Sequence, residues 1–96
     1  MLVNDLADVD IDNLRSNPKN LHFEILENQV VALDGKDAYR FMFRYQTDEG
    51  FKKKGIIYGV QHADVLYRIG YVAAEQHYFD LNEKAFASFI QSFRFL

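Results

Sequence analysis

The side chains with the most chemical reach in this sequence are three arginines, Arg40, Arg44 and Arg68, and a lysine run, Lys52-Lys53-Lys54. A guanidinium binds carboxylate or phosphate through paired donors. In the strand register argued below, Arg40, Gly59 and Arg68 lie side by side on one sheet face, with Arg44, Gly55 and Val72 two rows along. Two guanidiniums across a glycine could clamp an anion. They could equally pair internally with Asp5, Asp8 or Asp12 of a preceding helix, and this internal pairing is favoured. Arg40, Arg44, Gly59 and Arg68 are therefore the candidate binding residues, as an anion site or as a row in contact with that helix.

The other constellations are weaker. Lysines beside Phe51, Tyr45 and Tyr58 have the composition of a single-strand nucleic-acid surface. The chain is acidic overall, at -3, and lysines also guard exposed strand edges, so nucleic acid is not expected. His22, His62 and His77 stand alone, with no HExxH pattern, and no metal is expected. There is no nucleophile elbow, P-loop or dinucleotide fingerprint, and of the only serines, Ser16, Ser88 and Ser92, the last two lie on the closing helix with no nearby histidine in sequence. Acids are plentiful, but no pair stands out as one apolar and one polar carboxyl. No catalytic residue and no cofactor is assigned.

Ninety-six residues suit a single domain, here 1–96. Nine Phe and six Tyr supply a dense core for so short a chain. The absence of Cys excludes disulfides, Cys-based zinc sites and a thiol nucleophile. No apolar run approaches the roughly 20 residues of a membrane span. The start Met1-Leu2-Val3-Asn4-Asp5 lacks signal-peptide features, which implies a cytoplasmic chain or one that begins after a removed export segment. Charge is uneven. Residues 1–35 carry seven acids and two bases, whereas 36–68 carry seven bases and four acids. Two oppositely charged elements facing each other would explain that split.

The elements that must position these residues follow from periodicity. Leu2, Leu6, Val9 and Leu14 predict a helix over 2–16, stopped by Asn17-Pro18. Strands are predicted over 21–27, 29–33, 37–47, 51–62 and 65–75, with turns at Gly35-Lys36, Asp48-Glu49-Gly50 and Ala63-Asp64. A closing helix is predicted over about 81–94, with Asp80 as N-cap, Glu83 completing a capping box, and Phe86, Phe89, Ile90 and Phe93 as its apolar stripe. Two-residue turns at Glu49-Gly50 and Ala63-Asp64 would pair Phe43 with Ile56, Phe41 with Tyr58, Tyr39 with Val60, and then Ile56 with Tyr71, Tyr58 with Ile69 and Val60 with Tyr67. That groups aromatic and β-branched residues on one face, under the terminal helix. The glycines fall on the other face, where the acidic first helix would approach. The fold class is thus α+β: an antiparallel sheet of about five strands with an N-terminal and a C-terminal helix packed on it.

The stretch from Val31 to Leu96 resembles the PsbP-like superfamily, which includes the extrinsic photosystem II subunit, a Ran-binding factor and bacterial PsbP-related lipoproteins. The residues that carry the likeness are Leu33-Asp34-Gly35-Lys36-Asp37-Ala38-Tyr39, Tyr67-Arg68-Ile69-Gly70-Tyr71-Val72-Ala73-Ala74 and the ending Phe89-Ile90-Gln91-Ser92-Phe93-Arg94-Phe95-Leu96. The resemblance implies an α/β/α sandwich and a non-enzymatic binding or assembly role for an unknown protein partner, in a bacterial protein that is exported or lipid-anchored. It departs from the family at the N-terminus, where an initial hairpin bearing an aromatic-Pro-x-x-Trp stretch is usual and this chain has no Trp. The departure implies a fragment, a shortened member, or a homodimer that repairs an unpaired sheet edge. The alternative function is a small-ligand carrier or sensor for an anion or apolar molecule. A small enzyme of the cystatin-like type ranks last.

Overall fold

The computed structural model describes residues 2–76 and 78–95. His77, the Met1 start and the Leu96 that ends the family-like motif lie outside the described residues. The order is α1 (Val3–Ser16), β1 (Leu21–Leu33), β2 (Lys36–Gln46), β3 (Lys52–His62), β4 (Val65–Ala74) and α2 (Tyr78–Ser92). The strands form one antiparallel sheet in the order β1-β2-β3-β4. One helix covers each face.

The sheet has four strands, where about five were predicted. Residues 21–33 form one long strand with register shifts between Leu21 and Glu24 and between Ile25 and Glu27. The irregularities absorb the break in alternation that suggests two strands, while Asn28 stays in the ladder opposite Phe41. His22 takes a left-handed φ of 53° at the first of them.

The β3–β4 hairpin has the predicted register, with Ile56 opposite Tyr71, Tyr58 opposite Ile69 and Val60 opposite Tyr67. Its turn residues Ala63 and Asp64 both have positive φ, the geometry of a two-residue turn whose twist suits the flanking strands. The β1–β2 turn is of the same kind but centred on Asp34 and Gly35, one residue earlier than predicted.

The β2–β3 register corrects the prediction by one residue. Tyr39 lies opposite Gly59, Phe41 opposite Ile57 and Phe43 opposite Gly55. The cause is the turn. Thr47 and Phe51 close it: the Thr47 N–H donates to the Phe51 carbonyl at 2.9 Å, and the Phe51 N–H donates to Thr47 Oγ1 at 3.1 Å. Gly50 donates back to the Thr47 carbonyl and takes a φ of 89°. The loop is therefore Asp48-Glu49-Gly50, a three-residue connection ending on a left-handed glycine.

A one-residue slip sends each β2 residue to the other face relative to β3. Tyr39, Phe41 and Phe43 pack with Ile57 against Ala7 and Ile11 of α1, not against the terminal helix. Val3, Leu6, Leu14, Phe23, Ile25 and Tyr45 flank this cluster. The helix buries the stripe Ala7, Asp10 and Ile11, while Val9 and Leu2 are exposed.

On the other face α2 covers two clusters. Leu33, Ala38 and Val60 meet Ile90 and Phe93; Met42, Ile56 and Phe79 meet Phe86. The helix begins at Tyr78, so Asp80 lies within its first turn and does not cap it. There the carboxylate still complements the helix dipole. Phe89, predicted as part of the apolar stripe, is half exposed and lies outside the packed one. The chain end is tied down by the Phe95 N–H donating to Asp34 at 2.8 Å, with the Phe95 ring stacked 4.2 Å from His62.

The corrected register explains two of the central glycines. A Cβ on Gly59 would sit 2.0 Å from the Tyr39 ring, and one on Gly55 2.6 Å from the Phe43 ring. Each aromatic lies across the glycine opposite it. At Gly70 the nearest atom to a Cβ would be 3.4 Å away. Gly59→Ala should therefore cost about 2–3 kcal/mol in chemical denaturation through overpacking, whereas Gly70→Ala should be near neutral. Equal effects at the two positions would contradict the placement of the Tyr39 ring.

Candidate functional site

The most constrained polar group is Asp10. It sits on the buried stripe of α1, its side chain only 7% exposed. A buried carboxylate needs charge and hydrogen bonds to offset lost hydration. Three donors supply them. The Tyr39 hydroxyl donates to Oδ2 at 2.6 Å, and Arg68 donates through Nε to Oδ2 at 2.9 Å and through Nη2 to Oδ1. The arginine fork is thus bidentate. Gly59 is the register partner of both Tyr39 and Arg68, so one row across the sheet assembles the cradle.

Burial, followed by the hydrogen bond and charge of Asp10, pushes the Tyr39 phenol far above the ordinary tyrosine value. Burial pulls the Arg68 guanidinium down, but the Asp10 hydrogen bond and charge outweigh it and leave the pKa raised. Near neutrality the phenol neither donates nor accepts a proton readily, and the arginine stays charged. The arrangement suits fastening α1 to the sheet better than proton transfer.

The four sequence-predicted site residues are split between the faces. Gly59 and Arg68 share the α1 face, as expected, but Tyr39 occupies the place expected for Arg40. Arg40 lies on the α2 face opposite Tyr58, donating from Nε to the Tyr58 hydroxyl at 3.2 Å and from Nη1 to Glu27 at 3.1 Å. Arg44 lies on that same face at the end of β2, donating to Glu24 at 2.8 Å with Glu75 at 3.5 Å. Glu24, then Glu75, raise its pKa. The acid that meets Arg68 is Asp10, not Asp5, Asp8 or Asp12. A signal for it was present: Ala7, Ile11 and Leu14 continue Val3 at helical spacing, and Asp10 falls on that stripe.

Two further surfaces stand out. A polar cleft of about 300 Å³ at the open end of the sheet is lined by His22, Glu24, Arg44, Gln46, Lys52 and Glu75. The outer strand β4 exposes Val65, Leu66, Tyr67 and Val72. His62, opposite Val65 and beside the Tyr67 ring, has its Nδ1 buried without a hydrogen-bond partner. Among the described residues no three His, Asp or Glu side chains converge to hold a metal ion, and no helix is long and apolar enough to cross a membrane.

The Asp10 cradle gives a pH signature. Folding holds the Tyr39 proton more tightly than the unfolded chain does, since the unfolded phenol ionises near pH 10. This contribution is fully present below pH 10 and is lost as pH rises above it. Tyr39→Phe should cost about 1.5–3 kcal/mol at pH 7, a hydrogen bond to a charged group. The gap to the parent should narrow above pH 10 in urea titrations. A gap that stays constant to pH 11 would contradict the buried contact.

No curated protein and no solved structure gives a significant match to the chain. A protein-family profile described as PsbP-like protein matches residues 4–95. The match takes in α1 as well as the stretch from Val31 onward. It spans both helices, all four strands and the Asp10–Tyr39–Arg68 row, and on that breadth the chain belongs to the PsbP-like protein family.

Proposed function

We propose that this chain is a non-enzymatic binding or assembly domain that recognises a protein partner through the β4 edge. The observation that carries this reading is the contrast between the two outer strands. β1 has two register irregularities and, between the exposed Leu21 and Val30, presents His22, Glu24, Glu27, Asn28 and Gln29 to solvent. Such features discourage strand addition. β4 pairs with β3 without a break from Val65 to Ala74, contains no Lys, Pro, Asp or Glu, and exposes Leu66 and Val72 at 40% and 45%. Its single charge, Arg68, is turned back onto Asp10. An unbroken, largely apolar edge suits an added strand, whose main-chain bonds give affinity while alternate side chains select the partner.

In this reading Gly59 and Arg68 hold β4 in place for docking, and Arg40 and Arg44 brace the other face. The family resemblance favours a bacterial setting outside the cytoplasm, by export or lipid anchoring. A photo-crosslinking residue at Leu66 should give one discrete protein adduct in the producing cells, and the same residue at Gln29 should give none. Equal labelling at both positions, or none at Leu66, would count against the reading.

A second reading, a carrier or sensor of a small anion, draws on the cleft that brings His22, Arg44 and Lys52 together. Glu24 and Glu75 already engage Arg44, which lowers its capacity for a further anion. Millimolar phosphate that raises the Tm of the parent but not of Arg44→Ala would select this reading. No shift in either protein is the outcome expected if the β4 edge is the working surface.

A further inference from the structure

We infer that the strand added at β4 is β4 of a second copy of this chain, giving a two-fold dimer with one continuous eight-stranded sheet. The inference rests on the docking reading above and names its partner.

The backbone sets the terms. The Glu75 N–H donates to the Lys52 carbonyl at 2.9 Å, so odd-numbered positions of this arm bond to β3. In an antiparallel ladder the pattern alternates, and residues 66, 68, 70 and 72 therefore turn their N–H and C=O groups away from β3. Two copies of β4 related by an axis normal to the sheet can exchange those groups. The same symmetry requires facing residues to share a parity. Registers centred on residues 68, 69 and 70 keep most of the strand paired.

The side chains choose among them. Centring on residue 68 sets Arg68 directly against its own copy, and like charges in that position are destabilising. Centring on residue 70 sets glycine against glycine and Arg68 against the apolar Val72. Centring on Ile69 pairs Leu66 with Val72 of the second copy and Tyr67 with Tyr71, and each Arg68 faces a Gly70. Every exposed apolar residue of β4 then gains an apolar partner, and the guanidinium lies beside the residue with no side chain. The ion pair with Asp10 reduces what repulsion remains between the two Arg68 side chains at this greater separation. The pattern is self-complementary, as a two-fold interface must be.

The absence of Cys makes the register directly measurable. Light scattering should give twice the 11.3 kDa chain mass at micromolar concentration. Ile69→Cys places two thiols at the axis in a non-hydrogen-bonded pair and should form an intermolecular disulfide under mild oxidation. Gly70→Cys, which would report the shifted register, should not. Leu66→Lys should weaken dimerisation about tenfold or more while leaving the circular dichroism of the fold unchanged. A monomer mass at 100-fold higher concentration overturns the inference, as does a dimer that ignores Leu66→Lys or links through Gly70→Cys in preference to Ile69→Cys. A monomer whose Leu66 still crosslinks to a different protein overturns the second copy as partner and leaves the docking edge standing.

Discussion

Burying the Asp10 carboxylate between a helix and a sheet places a demand that much of this fold answers. The charge is tolerable only with donors on the sheet side, and Arg68 and Tyr39 provide them from different strands. For Tyr39 to reach, its ring must lie over the next strand, and only a residue without Cβ fits there, hence Gly59. For Gly59 to be opposite Tyr39, the β2–β3 loop must contain three residues and not two. A polar contact in the core is thus tied to the length of a turn at the far end of the hairpin. Replacing a buried pair of this kind with apolar residues is often neutral for stability. Its contribution here is to specify which helix covers which face.

The division of the helices follows. α1 covers the aromatic row of β2, where Tyr39, Phe41, Phe43 and Tyr45 stack along the strand with centroids 5.8–6.0 Å apart. α2 covers the smaller residues of the opposite face and leaves room for Arg40 between two apolar clusters. The two outer strands then differ in kind. β1 carries the irregularities and most of the polar side chains, while β4 is unbroken and largely apolar, with its one charge paired to Asp10. The inward pairing of Arg68 connects core to edge: the residue that completes the Asp10 cradle is also the one that would otherwise guard β4 against strand addition.

Much of this was legible in the sequence. The helices, the alternation of Tyr39, Phe41, Phe43 and Tyr45, and the Ala63-Asp64 hairpin follow from period and turn chemistry. The Arg40–Gly59–Arg68 row was misread because the β2–β3 register was chosen to group aromatic and β-branched residues on one face. A sheet covered on both faces carries apolar residues on both, and the face-matching criterion loses its power. The glycines held the better clue. Gly55 and Gly59 are spaced by four, as are Tyr39 and Phe43, and setting ring against glycine gives the observed register. Asp10 was obscured because Leu2 and Val9, which are exposed, were counted in the helix stripe in place of Ala7 and Ile11.

Nuclear Overhauser contacts of the Tyr39 ring test the central claim most directly. The account predicts cross-peaks from that ring to the Gly59 α-protons, strongly shifted upfield by the ring current, and contacts between the same aromatic row and the Ala7 methyl. Cross-peaks from Tyr39 to Val60 and to Phe86 or Phe93, with Gly59 at an ordinary shift, would contradict it.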